Sequence, residues 1–123
     1  MKIRIKGNSV RFRLTKTEVK TLCEKGIARE KTAFNESNFV YAVKVSDKYD
    51  NLHASFLNLG IILFIPKKIL SGWHLNDQVG FYHSQTLDDG EQLQLILEKD
   101  FVCMDEGIGD QSDNYPNPKM DNN

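Results

Sequence analysis

The chain has 123 residues, 40% hydrophobic and 27% charged, which is one domain's worth of sequence with apolar material enough for a core and excludes wholesale disorder. It carries 16 Lys and Arg against 17 Asp and Glu, a formal charge of −1. That balance excludes a uniformly basic nucleic-acid binder but leaves room for a local basic patch.

Ile3 and Ile5 alternate with Lys2, Arg4 and Lys6, so the start lacks a leader's continuous apolar segment. Gly7-Asn8-Ser9 follows as a turn, and Val10, Phe12 and Leu14 then alternate with Arg11 and Arg13. Period-two alternation about a Gly-Asn turn predicts an antiparallel hairpin. One face carries the apolar residues and the other carries Lys2, Arg4, Lys6, Arg11 and Arg13. Thr15 and Glu18 fit a capping box, Val19, Leu22 and Cys23 share one helical face, and Gly26 supplies a left-handed stop, which predicts a helix over 16–25. A weaker strand follows over 27–34, then a turn at Asn35 to Asn38 and a strand through Phe39, Tyr41, Val43 and Val45.

After a polar break over 46–51 the pattern restarts. Residues 52–57 read as a strand, Asn58-Leu59-Gly60 as a turn, and Ile61 to Ile65 as an apolar strand. Pro66 suits a helix's first turn, with Ile69, Leu70 and Trp73 on one face. Val79, Phe81 and His83 alternate, Asp88-Asp89-Gly90 turns the chain, and Leu93, Leu95 and Leu97 alternate again. Shifted back by 51 positions, Ile61, Leu63 and Ile65 fall on Val10, Phe12 and Leu14, and Pro66 falls on Thr15. Each half reads strand–turn–strand–helix–strand–turn–strand, an internal repeat of 1–50 and 52–100 in burial pattern rather than identity.

That order is similar to the AbrB/MazE-like swapped-hairpin fold. Ile65-Pro66-Lys67-Lys68-Ile69, then Leu75 to Tyr82, looks like that family's helix entry and later strand, and Gly7-Asn8-Ser9 with Val10 to Arg13 looks like its turn and strand. The resemblance implies two units fused in one chain, a barrel closing within a monomer, and a DNA-binding regulatory role. Met1 to Ser9, Glu98 to Cys103, Asp110 to Asp113 and Tyr115-Pro116-Asn117-Pro118 resemble an uncharacterised bacterial family of short cytoplasmic proteins. That resemblance implies a bacterial, cytoplasmic setting and no activity.

Charge is unevenly spread. Residues 1–26 hold eight cations against two carboxylates, and residues 98–123 hold seven carboxylates against two cations. The hairpin cations can meet a nucleic acid or another polyanion. They can also receive the acidic tail, or simply keep an exposed strand face soluble. At the 51-residue offset Arg11 and Arg13 correspond to Ile62 and Phe64, so the strand at 61–65 is apolar on both faces and expected to be covered on both. The cover is another element of the chain or the second subunit of a homodimer.

Catalytic signals are thin. His53, His74 and His83 form no metal-binding motif, Cys23 and Cys103 are too few for a four-cysteine zinc site, and Asp110 to Asp113 lacks an EF-hand's spaced ligands. No cofactor motif and no apolar run of the roughly 20 residues that span a membrane is present.

The expected fold is α+β, a mostly antiparallel sheet or small barrel with two short helices, in its specific form a fused pseudo-twofold swapped-hairpin barrel. One globular domain over 1–103 precedes an acidic tail over 104–123, whose last residues, about fifteen, are expected to be poorly ordered or draped on the surface. The predicted core draws on Ile3, Ile5, Val10, Phe12 and Leu14, on Val19, Leu22 and Val43, on Ile61, Leu63 and Ile65, on Leu70 and Trp73, and on Phe81, Leu95 and Leu97. The favoured function is a small non-enzymatic binding or regulatory module whose hairpin face, Lys2, Arg4, Lys6, Arg11 and Arg13, takes an anionic partner such as DNA. The alternatives are a small enzyme with a pocket around Cys103, Asp105 and a histidine, and a structural subunit of a larger assembly.

Overall fold

The computed structural model describes residues 1–102 and 112–116. Eight strands form two four-stranded sheets. The first sheet runs β1 (Lys2–Ile5), β2 (Ser9–Leu14), β8 (Gln92–Lys99), β7 (Gly80–Thr86). The second runs β3 (Ile27–Ala33), β4 (Asn38–Val45), β6 (Gly60–Ile65), β5 (His53–Leu57). Each sheet takes one hairpin from each half of the chain, and the hairpins meet through a central parallel pair, β2 with β8 and β6 with β4. The sheets are therefore mixed in direction.

The two central pairs share one register. Val10 lies opposite Leu95 and Phe12 opposite Leu97 in the first; Ile61 lies opposite Tyr41 and Leu63 opposite Val43 in the second. Backbone bonds repeat with it: Asp100 N–H donates to Leu14 C=O at 2.8 Å, and Ser46 N–H donates to Ile65 C=O at 3.0 Å.

Helix α1 (Lys16–Lys25) forms where its caps require it. Glu18 N–H donates to Thr15 Oγ at 3.4 Å, and Thr15 N–H donates to Glu18 Oε1 at 2.9 Å, so two of the first turn's orphan donors are satisfied reciprocally. Gly26 ends the helix at φ 83°, a conformation a side chain would strain. Val19 and Leu22 are fully buried and face a core shared by both sheets: Phe12, Leu14, Leu95 and Leu97 from one, Val43, Leu63 and Ile65 from the other. Trp73 is also fully buried, its indole N–H donating to Gln78 C=O at 2.7 Å. Each such side chain contributes about 1.5–3 kcal/mol by leaving water.

The fold is a small α+β domain, and four expectations need correction. No barrel closes, because β1, β7, β3 and β5 are edges that pair on one side only, and the sheets are held together by side chains rather than a continuous hydrogen-bond ladder. The second helix breaks in two, α2 (Lys67–Leu70) and a 3-10 turn (Trp73–Leu75). Pro66 caps α2 without a side-chain acceptor, and Gly72 at φ 76° stands between the pieces. Ile5 is 58% exposed rather than core, since it ends a four-residue edge strand beside the turn. The cover expected over 61–65 is partial: Ile62 and Phe64 remain only half-buried on the outer face. Of the last stretch, residues 112–116 pack against the domain. Tyr115 N–H donates to Asp100 C=O at 2.8 Å, and Lys16 N–H donates to Asp113 C=O at 2.9 Å. The rest of the expected acidic tail lies outside the described residues.

Among the described residues no helix is long and apolar enough to cross a membrane.

Candidate polyanion-binding face

The outer face of the first sheet is set by strand register. Lys2 stands opposite Arg13 and Arg4 opposite Arg11 across the β1–β2 hairpin. The parallel pairing then places Glu98 beside Arg13 and Ile96 beside Arg11, and β7 adds Tyr82 beside Ile96. One row across the four strands therefore reads Arg4, Arg11, Ile96, Tyr82.

Like charges directly opposite each other are destabilising, and two carboxylates offset this here. Glu98 Oε1 lies 2.8 Å from Arg13 Nε and 3.6 Å from Arg11 Nε. Lys2 Nζ lies 3.1 Å from Oδ2 of the nearly buried Asp100. Gly80 lies opposite Glu98, where a Cβ would meet Leu97 O at 2.3 Å, so β7 approaches this carboxylate's strand as only glycine allows.

Arg4 and Lys6 make no ion pair among the described residues. With Ser9 and Arg11 they line an open hollow of about 230 Å³. Five cations and two carboxylates leave this face with three net positive charges. Tyr82 is 67% exposed, and its hydroxyl donates to Gln94 Oε1. The structure thus brings Arg4, Lys6, Arg11 and Arg13 onto one face and ties Lys2 to its margin.

The model of a family of unknown function, DUF7009, matches residues 1–119. The chain belongs to the DUF7009 family. No curated protein and no solved structure matches it. The resemblance to AbrB/MazE-like proteins therefore finds no support in these comparisons.

Sequence reasoning missed Glu98, Tyr82, Gln94 and Ser9 as members of this DUF7009 face. Glu98 lies 85 residues from Arg13, and no local pattern announces a parallel partner at that separation. The alternation of Gln92, Gln94, Ile96 and Glu98 was the available signal, since it marks an outward face of β8.

The acidic stretch near the end behaves differently from a cover on the hairpin where it is described. Asp113 Oδ1 accepts from Thr17 Oγ1 at 3.0 Å and Thr17 N–H at 3.2 Å, at the start of α1. Chiefly a hydrogen bond from Thr15, with others from Thr17, holds the Asp113 carboxyl below its ordinary range against the opposing effect of burial.

Cys103 and Asp105 lie outside the described residues. Burial pushes the Cys23 thiol up, away from the reactive thiolate. His53 stacks on Tyr49 with ring centres 3.7 Å apart, and burial, Lys48 and His83 push its pKa down. Lys99 is buried, with Nζ donating to Asn76 C=O at 2.6 Å and lying 4.9 Å from the Tyr115 ring centre. Burial pushes its pKa down. Among the described residues no three His, Cys, Asp or Glu side chains are grouped to hold a metal.

Proposed function

We propose that this DUF7009 chain is a small binding or regulatory module without catalysis of its own, and that the outer face of the β1–β2–β8–β7 sheet takes the phosphate backbone of a nucleic acid. The observation that carries this reading is the shared hollow of Arg4, Lys6, Ser9 and Arg11, two of whose cations have no carboxylate partner among the described residues. Phosphate oxygens supply the missing counter-charge, and cations released from the nucleic acid supply the driving force. A twisted sheet face with long flexible cations positions a backbone without reading base edges, so the expected binding is sequence-tolerant.

Fluorescence anisotropy with a labelled 20-base-pair duplex tests it. The wild-type chain should bind at low salt, with log affinity falling against log salt at a slope near −3, about 0.9 per neutralised phosphate. Arg4→Glu with Lys6→Glu should abolish binding without changing the melting temperature by more than a few degrees. Absence of wild-type binding at 20 mM salt (roughly the condition of strongest attraction) rejects the proposal. Charge reversal is preferred to truncation after Cys103, because truncation also removes the contacts of Asp113 and Tyr115 with α1 and Asp100.

A further inference from the structure

We infer that the outer face of the second sheet is a docking site for an acidic peptide segment of a partner protein, anchored by one apolar side chain. This face is separate from the proposed nucleic-acid face, and the inference stands or falls independently of it.

The face contains an open hollow of about 370 Å³. Its floor is Ala42 on β4 beside Ile62 on β6, and Gly60 beside Val40. The hollow is built into the backbone. A Cβ at Gly60 would meet Val40 O at 2.7 Å, so the strands approach too closely there for any side chain to fill the space. Leu57, 69% exposed, forms one wall.

The rim carries only one sign of charge. Arg29 and Lys44 line the hollow, and Lys31 follows Arg29 on the same face of β3. All three are exposed, and none makes an ion pair among the described residues. Among the described residues no carboxylate lines the hollow. The first sheet differs at the matching place, where Glu98 sits between its arginines.

The β3–β4 and β5–β6 turns lie at the same end of the sheet, because β4 and β6 run parallel. There Phe34 and Leu59 are 61% and 57% exposed, while Phe56, paired with Ile61 of the core side, belongs to the other face of the sheet. Leu59 is held at φ 60°, strained backbone for a leucine.

Charge decides the occupant. A second copy docking through the same face would bring Arg29, Lys31 and Lys44 toward their own counterparts. A nucleic-acid backbone would satisfy the rim but leave the apolar floor wet. An extended segment with Asp or Glu flanking a Leu, Phe, Ile or Met satisfies both, the carboxylates meeting the rim and the apolar side chain filling the hollow.

The test is selection of a displayed library of random 12-residue peptides on the full chain. Enriched sequences should combine acidic residues with an apolar one. Their synthetic forms should bind Arg29→Glu with Lys44→Glu at least tenfold more weakly, and Leu57→Ser more weakly too, with the wild-type melting temperature kept by Leu57→Ser. Enrichment of basic or uncharged peptides, no enrichment, or equal binding to these variants overturns the inference. A dimer seen by sedimentation and disrupted by either variant would make the face an interface between copies and also overturn it. Vesicles of anionic phospholipid that outcompete the peptides would do the same in favour of a lipid surface.

Discussion

Arg13 and Glu98 stand side by side across the parallel β2–β8 pair, Nε to Oε1 at 2.8 Å, joining two halves of the chain 85 residues apart. The same carboxylate oxygen lies 3.6 Å from Arg11 Nε. Glu98 therefore lets two arginines share one face and at the same time reduces what that face can offer a polyanion. Glu98→Gln should strengthen duplex binding at low salt roughly 1.4- to fivefold, the range of an exposed ion pair worth about 0.2–1 kcal/mol. It should also steepen the salt dependence. Anisotropy on the variant checks this, and unchanged or weaker binding contradicts it.

The amino group of Met1 lies 2.8 Å from Glu18 and 3.0 Å from Glu30, tying the start of β1 to α1 and β3. Burial alone would lower its pKa, but the hydrogen bonds and charges of Glu18 and Glu30 outweigh this and raise it above its ordinary 8.0. A group with a raised folded-state pKa contributes stability that is complete below the ordinary value and lost as pH rises through the raised one. Stability should fall above pH 8, and the fall should be smaller in Glu30→Gln. Denaturant melts at pH 7 and pH 9.5 measure it.

The β5–β6 turn places Asn58 at φ 51° and Leu59 at φ 60°. A two-residue turn of this hand favours Asn-Gly. Leu59→Gly should therefore stabilise the chain by about 1 kcal/mol, the typical cost of left-handed backbone for an ordinary residue. A urea titration checks it, and a loss of stability would show that Leu59 makes contacts outweighing its strain.

Trp73 fills the centre of the core, edge-on to Phe81 with ring centres 5.0 Å apart and beneath Lys99 Nζ at 5.7 Å. Trp73→Ala should cost about 3–5 kcal/mol. Trp73→Phe should cost less, since the ring remains and the bond to Gln78 C=O is lost. Denaturant midpoints of the two variants give the comparison.

Local chemistry was readable in the sequence. Thr15, Glu18 and Gly26 delimit α1 because caps are satisfied within one turn of chain, and the alternation of Val10, Phe12 and Leu14 marks a buried strand face. The 51-residue offset pairs strands that occupy matching places in the two sheets. That the two sheets stay open rather than close into a barrel was not readable, because edge pairing depends on which distant strands meet. The core residues Ala28 and Leu52 were missed for a related reason: one lies in a strand exposed elsewhere along its length, the other in the loop just before β5 rather than in the strand expected over 52–57. The cations Lys2, Arg4, Lys6, Arg11 and Arg13 were found by alternation alone, whereas Glu98 and Asp100, which offset them, come into place only through the β2–β8 pairing.

Amide chemical-shift mapping during titration with duplex DNA at low salt tests the central claim most directly. The expected result is a continuous set of shifts at Arg4, Lys6, Ser9 and Arg11, extending along β8 and reversed by added salt. Shifts confined to the second sheet, or none at all, would contradict it.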